Sequence, residues 1–302
     1  MEDTTNKFLS FAYTAGGAIG GLVVVALSLL YVYQDNLLYM PNPPGLPKTP
    51  EQNPSGCISP NEWSTGGEFC QSASCTPIPY EDVTITTDDG EHIHAWLLFR
   101  NPSAPTLIYF HGNAANMGFR LQNAAGMYGF SGYNVLMMDY RGYGKSTGKP
   151  SEKGLQLDGV AMLKYLKQHP RLSSSPIVVF GRSLGGALAI WLAYHHGPDI
   201  SGVIVENTFM SIPTMVDKLM PWAVSIKWLI LRIKWDSIGM IPTLTQPIMF
   251  ISGDRDELVP SFHMKNLYEA AAKSAFRYMY SVFGGTHNDT WAKAGRKYYS
   301  VC

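Results

Sequence analysis

The first charge-free stretch of the chain decides its first element. Residues Phe8 to Tyr33 hold no Asp, Glu, Lys or Arg, and Ala12 to Tyr33, AYTAGGAIGGLVVVALSLLYVY, offers no face polar enough to meet water. As a helix this run is long enough to cross a hydrocarbon core of about 30 Å, so residues 1–34 are predicted to be a membrane anchor. A cleaved leader is disfavoured because the chain begins with Glu2 and Asp3, the apolar run is too long, and Tyr31 to Asp35 lacks small residues for cleavage. Periodicity then disappears. Residues 35–79 are rich in Pro, Gly, Ser and Asn, with no sustained repeat of 2 or 3.6, and read as a linker and pre-domain loop.

Regular patterning resumes at Tyr80 and predicts a single domain over 80–302. Val83, Ile85 and Thr87 alternate with polar residues, Asp89-Gly90 turns the chain, and Ile93 to Phe99 returns it, giving an antiparallel hairpin. Short apolar strands are expected at Thr106 to Phe110, Asn134 to Asp139, Ile177 to Phe180, Gly202 to Val205, Pro247 to Ser252 and Arg277 to Phe283. Helical patterns separate them, at about Phe119 to Tyr128, Gly154 to Gln168, Gly186 to Leu192 and Phe262 to Ser274, with a last helix at about Asp289 to Tyr299. Strands alternating with helices imply a mostly parallel sheet covered on both faces. A cap at about 209–245 interrupts the alternation. Its segment Pro221 to Asp236, PWAVSIKWLILRIKWD, is apolar nearly all round, and carries Trp222, Trp228 and Trp235 beside Lys227, Arg232 and Lys234. Burial against the sheet is the ordinary expectation for it, and a face lying on the membrane is the alternative.

Charge adds little. Lys plus Arg and Asp plus Glu both number 23 in 302 residues, which gives no argument for nucleic acid. Orientation has almost nothing to rest on, since only Lys7 precedes the span and Lys48 follows at a distance. A long domain behind a first span makes a lumenal or outer domain the simplest expectation. Cys57, Cys70, Cys75 and Cys302 lean the same way if at least one pair is oxidised, and the sequence does not choose among the three pairings. Asn288-Asp289-Thr290 pulls against it, because a glycan there would crowd the neighbouring His287. Gly16, Gly17, Gly20 and Gly21 form two overlapping G-x-x-x-G pairs, so a span-mediated homodimer is a candidate arrangement.

The chemistry centres on Pro176 to Ala187, PIVVFGRSLGGA, where a strand runs straight into Gly181-Arg182-Ser183-Leu184-Gly185 and then a helix. That context makes it a G-x-S-x-G nucleophile elbow, with Ser183 on a strained turn and its flanking glycines needed to avoid a Cβ clash. A serine hydroxyl is hardly ionised at neutral pH, so it needs a base and an orienting acid. These are expected from loops at the carboxyl ends of later strands. The loop Gly253 to Pro260 supplies Asp256 at its tip, with Asp254 as the alternative, and Gly284 to Asp289 supplies His287. His263, His195 and His196 lie on helices, and His111 is read as holding its loop. The oxyanion donors are the backbone NH of Leu184 and that of Asn113, from the loop His111-Gly112-Asn113. Asp139 and Arg141 are read as a buried pair that fixes a loop. No metal or cofactor is expected.

FHGNAANMG, MDYRGYGKSTGKPSEKGLQLD, GRSLGGALAI, GDRDELVP and GGTHND, in this order behind a span, resemble the membrane-anchored α/β-hydrolases of the fungal bud-emergence (Bem) group and their animal relatives. The resemblance covers about Gln34 to Trp291. It implies an α/β-hydrolase fold with Ser183, Asp256 and His287 as its triad. It also implies an endomembrane or plasma-membrane location, of which the endoplasmic reticulum or another endomembrane is the expectation. It implies no substrate. Two departures stand out: the cysteines before the first strand, and an early stop after His287 that predicts a short, weakly packed closing helix. The reading is a single-pass membrane serine hydrolase acting on an ester or thioester with a lipid-like acyl group, and a catalytically idle scaffold or an acyltransferase is the alternative. Trp228 and Ile230 of the cap are expected to shape the preference for acyl length.

Overall fold

The computed structural model describes residues 2–72, 74–221 and 224–302. Helix α1, Glu2–Val32, is followed after Tyr33 by α2, Gln34–Leu38. Within α1, Tyr13–Val32 has a mean hydropathy of 2.1, is long and apolar enough to cross a membrane, and is not buried by the rest of the protein. Residues 41–79, for all their irregular sequence, are folded onto the domain. Trp63 and Ile78 are buried there, and the amides of Asn53 and Asn116 exchange hydrogen bonds of 2.7 and 3.0 Å. Cys70 and Cys75 form a disulfide, their Cα atoms 5.5 Å apart, while Cys57 and Cys302 are free.

The strands are β1 Tyr80–Thr86, β2 His92–Leu98, β3 Thr106–Phe110, β4 Asn134–Met138, β5 Ile177–Arg182, β6 Gly202–Glu206, β7 Ile248–Gly253 and β8 Arg277–Val282. The remaining helices are α3 Leu121–Gly129, α4 Glu152–Gln168, α5 Leu184–His195, α6 Ile212–Leu219, α7 Lys227–Ile230, α8 Ser237–Met240, α9 Phe262–Ala270, α10 Thr290–Ala294 and α11 Arg296–Val301. One eight-stranded sheet has the order β1-β2-β4-β3-β5-β6-β7-β8. It is parallel from β4 to β8 and antiparallel only where β2 meets β1 and β4. This is the mostly parallel sheet that the alternation of strands and helices implied, in the α/β-hydrolase fold that the resemblance implied.

Because side chains alternate along a strand, the sheet builds a core on each face. Ile108 and Phe110 of β3 join Val179 and Leu188 on one side, while Leu107 and Tyr109 join Phe180 and Tyr128 on the other. The register lines up the strand ends. Phe110 sits opposite Gly181, Gly181 opposite Val205, Val205 opposite Phe250 and Phe250 opposite Met279. The loops that leave these strands therefore emerge along one edge, where parallel α/β sheets bind ligands.

Three expectations about local structure need correction. Helix α9 stops at Ala270, because the Ser274 hydroxyl donates to the Gln246 and Phe276 carbonyls at 2.8 and 2.7 Å and turns the chain into β8. The closing helix is two helices, α10 and α11, broken at Gly295 with φ 58°. It is not weakly packed: Tyr298 is fully buried, and its hydroxyl donates to Glu206 Oε2 at 2.6 Å. Tyr299 lies so close to Gly126 that any Cβ there would overlap its ring. Arg141, finally, does not pair with Asp139. Its Nε meets Asp158 Oδ1 at 2.8 Å and its Nη1 meets Asp89 Oδ2 at 2.7 Å, whereas Asp139 accepts from the Met117 backbone NH at 2.6 Å. The neighbour two residues away in the chain is not the partner that the fold brings to Arg141.

Asp158 is fully buried while Asp89 is 41% exposed, so most of the compensation for Arg141 comes from Asp158. Asp158→Asn should therefore lower stability by about 3 kcal/mol, the range for breaking a buried pair, and urea or thermal denaturation at pH 7 checks it. A change below about 0.5 kcal/mol would place the pair among those that contribute nothing.

Candidate active site

Ser183 joins β5 to α5 with φ 54° and ψ −119°, a conformation that a side chain adopts only when its surroundings impose it. A Cβ on Gly181 would overlap the Gly185 carbonyl oxygen, and one on Gly185 would overlap the carbonyl oxygen of Phe110 on β3. Glycine is thus required on both sides of the serine. The turn is pinned from β6. Ser183 NH donates to the Glu206 carbonyl at 2.9 Å, and Thr208 Oγ1 donates to the Ser183 carbonyl at 2.7 Å.

Asp256 and His287 meet although 31 residues separate them. His287 Nδ1 donates to Asp256 Oδ2 at 2.8 Å, and the acid's side chain is 1% exposed. Asp256 Oδ1 accepts from the Leu258 and Val259 backbone NH groups at 2.9 and 2.7 Å, which fixes the carboxylate. Asp254 is employed otherwise: its Oδ1 accepts from the Gly284 NH at 2.7 Å and so ties the acid loop to the histidine loop. With the proton of His287 placed on Nδ1 by its carboxylate partner, Nε2 is the lone-pair nitrogen.

Two backbone amides complete the edge. Leu184 and Asn113 NH groups have no protein acceptor among the described residues, and both residues line the cavity that holds Ser183. Asn113 is held in place: its amide donates to the Leu38 carbonyl, and Tyr143 Oη donates to its Oδ1 at 2.9 Å. His111 supports this loop by donating from Nδ1 to the Gly112 carbonyl at 2.6 Å while packing 4.4 Å from the Tyr140 ring. Burial pushes its pKa down to about 3, so the ring is neutral.

The positioning residues were beyond the reach of sequence patterns. Asn207, with φ 47°, donates from Nδ2 to the Thr286 and His287 carbonyls at 3.1 and 3.3 Å, and its Oδ1 accepts from the Gly253 NH at 2.8 Å. One amide thus joins β6, the acid strand and the histidine loop. Arg182, next to the nucleophile, meets Glu206 at 3.2 Å and the Asn288 carbonyl at 3.3 Å. The only available signal was the tolerance of asparagine for positive φ.

Ser183 and His287 open into a cavity of about 550 Å³. Its walls are mostly apolar and come from three places: Leu30 of α1 with Leu37 and Leu38 of α2, Phe209, Ile212, Val216, Ile230 and Ile233 from the cap, and Leu258 beside the acid. The cap segment divides. Ile233 and Trp235 are buried, Ile230 lines the cavity, and Trp228, 75% exposed, points away from it, contrary to its expected part in acyl selection. Trp222 lies outside the described residues. Gln34, just after α1, fastens that end of the chain to this cap: its Oε1 accepts from the Arg232 and Ile233 NH groups at 2.7 and 3.3 Å, and Asp35 pairs with Arg232 at 2.6 Å.

Comparison with known proteins agrees with this architecture. A family model described as serine aminopeptidase, S33, matches residues 101–238. The α/β-hydrolase domain-containing protein WAV2 of Arabidopsis thaliana is 36% identical over 299 residues, covering 93% of this chain and 90% of that protein. Protein bem46 of Schizosaccharomyces pombe is 37% identical over 280 residues, covering 91% and 87%. The chain belongs to this α/β-hydrolase family. The solved structure of the esterase Pf2001 of Pyrococcus furiosus superposes on the hydrolase with a TM-score of 0.62 at 25% identity, covering 74% of this chain and 90% of that one. The family is of the serine hydrolase and esterase type.

A second buried histidine should make the hydrolase lose stability in acid. His263 is fully buried, and burial lowers its pKa to about 4, against the opposing pull of Asp256. Its folded pKa thus lies below the unfolded value of about 6.5. As pH falls below 6.5 the unfolded chain takes up a proton that the folded chain refuses, so stability is lost from there towards pH 4. His111 adds to the same loss. His263→Gln should flatten the fall in Tm between pH 7.5 and pH 4.5, and thermal scans of both proteins at each pH measure it. Parallel curves would remove His263 as a source.

Proposed function

We propose that this hydrolase is a single-pass membrane serine hydrolase that cleaves a carboxylic ester or thioester with a lipid-like acyl group. The observation that carries the reading is the strained Ser183 turn opening into the same apolar cavity as the His287–Asp256 pair. In this reading Ser183 Oγ attacks the carbonyl carbon while His287 Nε2 takes its proton, and the NH groups of Leu184 and Asn113 hold the oxyanion. His287 then gives the proton to the leaving oxygen or sulfur. Water repeats the sequence on the acyl-serine, with His287 again as base, and releases the acid. Asp256 keeps its charge throughout, fixing the tautomer of His287 and stabilising the imidazolium.

The apolar walls support an acyl chain as the bound group, because each buried methylene contributes about 0.8 kcal/mol. Entry from a bilayer is supported by Leu30, a residue of α1 that also lines the cavity. The Cys70–Cys75 disulfide favours a lumenal or outer domain, in the endoplasmic reticulum or another endomembrane. The G-x-x-x-G pairs remain a candidate contact between two spans.

Ser183→Ala should abolish turnover of a p-nitrophenyl ester and labelling by a fluorophosphonate while leaving the fold intact, a loss of several powers of ten. Unaltered turnover would refute the nucleophile, and an unlabelled wild-type serine would favour the idle scaffold. Asp256→Asn should cost far more activity than Asp254→Asn; equal losses would leave the acid unassigned. Ile230→Ala should lower kcat/KM for a long-chain ester by roughly tenfold relative to acetyl, and Trp228→Ala should leave that ratio alone. An Ile230→Ala ratio equal to that of the parent would confine the cap to support of the fold.

A further inference from the structure

The charges lining the cavity do not balance. Arg120, Arg182 and Lys227 line it, whereas no Asp or Glu does among the described residues. Lys227 is neutralised by Asp217, and Arg182, 3% exposed, by Glu206 at 3.2 Å. Arg120 meets no carboxylate among the described residues. Its Nη2 donates to the Ala114 carbonyl at 3.0 Å, beside the oxyanion loop, and its enclosed Nε donates to nothing. Burial and the neighbouring Arg182 both oppose its charge, yet a guanidinium stays charged at any physiological pH. The side chain is half-buried with its Nε enclosed; a partly desolvated ion without a carboxylate partner is costly, and the cost falls when an anion joins it.

We propose that Arg120 is the subsite for a phosphate on the alcohol side of the ester, so that the substrate is a phosphate-bearing lipid ester of the lysophospholipid class. The proposal rests on the serine-hydrolase reading and deepens it. In this assignment the apolar walls take the acyl chain, Ser183 attacks the carbonyl, and Arg120, which lines the cavity and is bonded beside the oxyanion loop, takes the phosphate of the leaving half. A guanidinium presents two parallel NH groups that match two phosphate oxygens. Lys227, on a different element and already paired, is not needed.

The test uses the full-length protein in detergent with a 1-acylglycerol and the 1-acylglycerol 3-phosphate of the same chain. The phosphate-bearing ester should be preferred by about ten- to a hundredfold in kcat/KM, as for a hydrogen bond to a charged group. Arg120→Gln should bring the ratio near unity, and Arg120→Lys should keep much of it. A wild-type ratio near unity, or one that survives Arg120→Gln, overturns the proposal. Should the variants not fold, hexadecyl phosphate should inhibit the wild-type enzyme at least about tenfold more strongly than hexadecanol, and equal inhibition overturns it. Inorganic phosphate that inhibits as well as hexadecyl phosphate would mark a free-phosphate site instead of a lipid headgroup. If neither ester is hydrolysed while a p-nitrophenyl ester is, the lysophospholipid proposal has failed; if the p-nitrophenyl ester is also left intact, the serine-hydrolase reading has failed. In that case direct binding of hexadecyl phosphate, compared between wild type and Arg120→Gln, still decides the anion site.

Discussion

There is no room for a side chain where β5 turns into α5, and much of the sheet edge follows from that lack of space. Gly181 and Gly185 press on each other and on the Phe110 carbonyl of β3, so the serine between them takes the positive φ that ordinary packing would relieve. Such strain costs about 1–3 kcal/mol and persists only where neighbours over-determine it. Here the neighbours are the Glu206 carbonyl and Thr208. Asn207, between them, is itself at positive φ, and from that position its amide reaches the loops that carry Asp256 and His287. One crowded turn thereby sets the relative positions of strands β6 to β8 at the edge where chemistry would occur.

What could be read in advance was whatever a contiguous run of letters encodes. Buried parallel strands are short apolar runs, so β3 to β7 stood out, and the glycines around Ser183 announced a turn too tight for anything else. The Asp256 and His287 loops were legible because both follow such strands. The residues that hold the site together were not. Arg182, Glu206 and Tyr298 form a buried chain, but 92 residues separate the last two, and no local pattern links single polar letters across that distance. Arg141 shows the same limit in reverse: Asp139 is near in sequence, while its partner Asp158 arrives from α4. Gly295 was hidden by helix-forming residues on both sides.

The irregular segments were read too loosely for a related physical reason. Among the described residues of 41–79 the only regular elements are the single-turn 3-10 helices Pro50–Gln52 and Pro60–Glu62, too short to show a period, yet Trp63, Ile78 and Asn53 are buried. Conversely the cap segment, apolar all round, does not share a single environment. Trp235 is enclosed and donates to Tyr39 Oη at 3.0 Å, Ile230 faces the cavity, and Trp228 and Leu229 are exposed. Composition alone cannot distribute apolar side chains among three such places.

Only Tyr33 separates α1 from α2, and Gln34, the next residue, is already bonded to the cap. A connection this short is not a tether. Long flexible linkers let a domain swing freely about a helix, whereas here any tilt of α1 carries the cap and the cavity mouth with it. The distance from the helix end to Ser183 is therefore a built-in ruler. In the membrane-enzyme reading proposed above, that fixed distance would select the depth at which an ester bond meets the serine, whatever the chemistry of its acyl group.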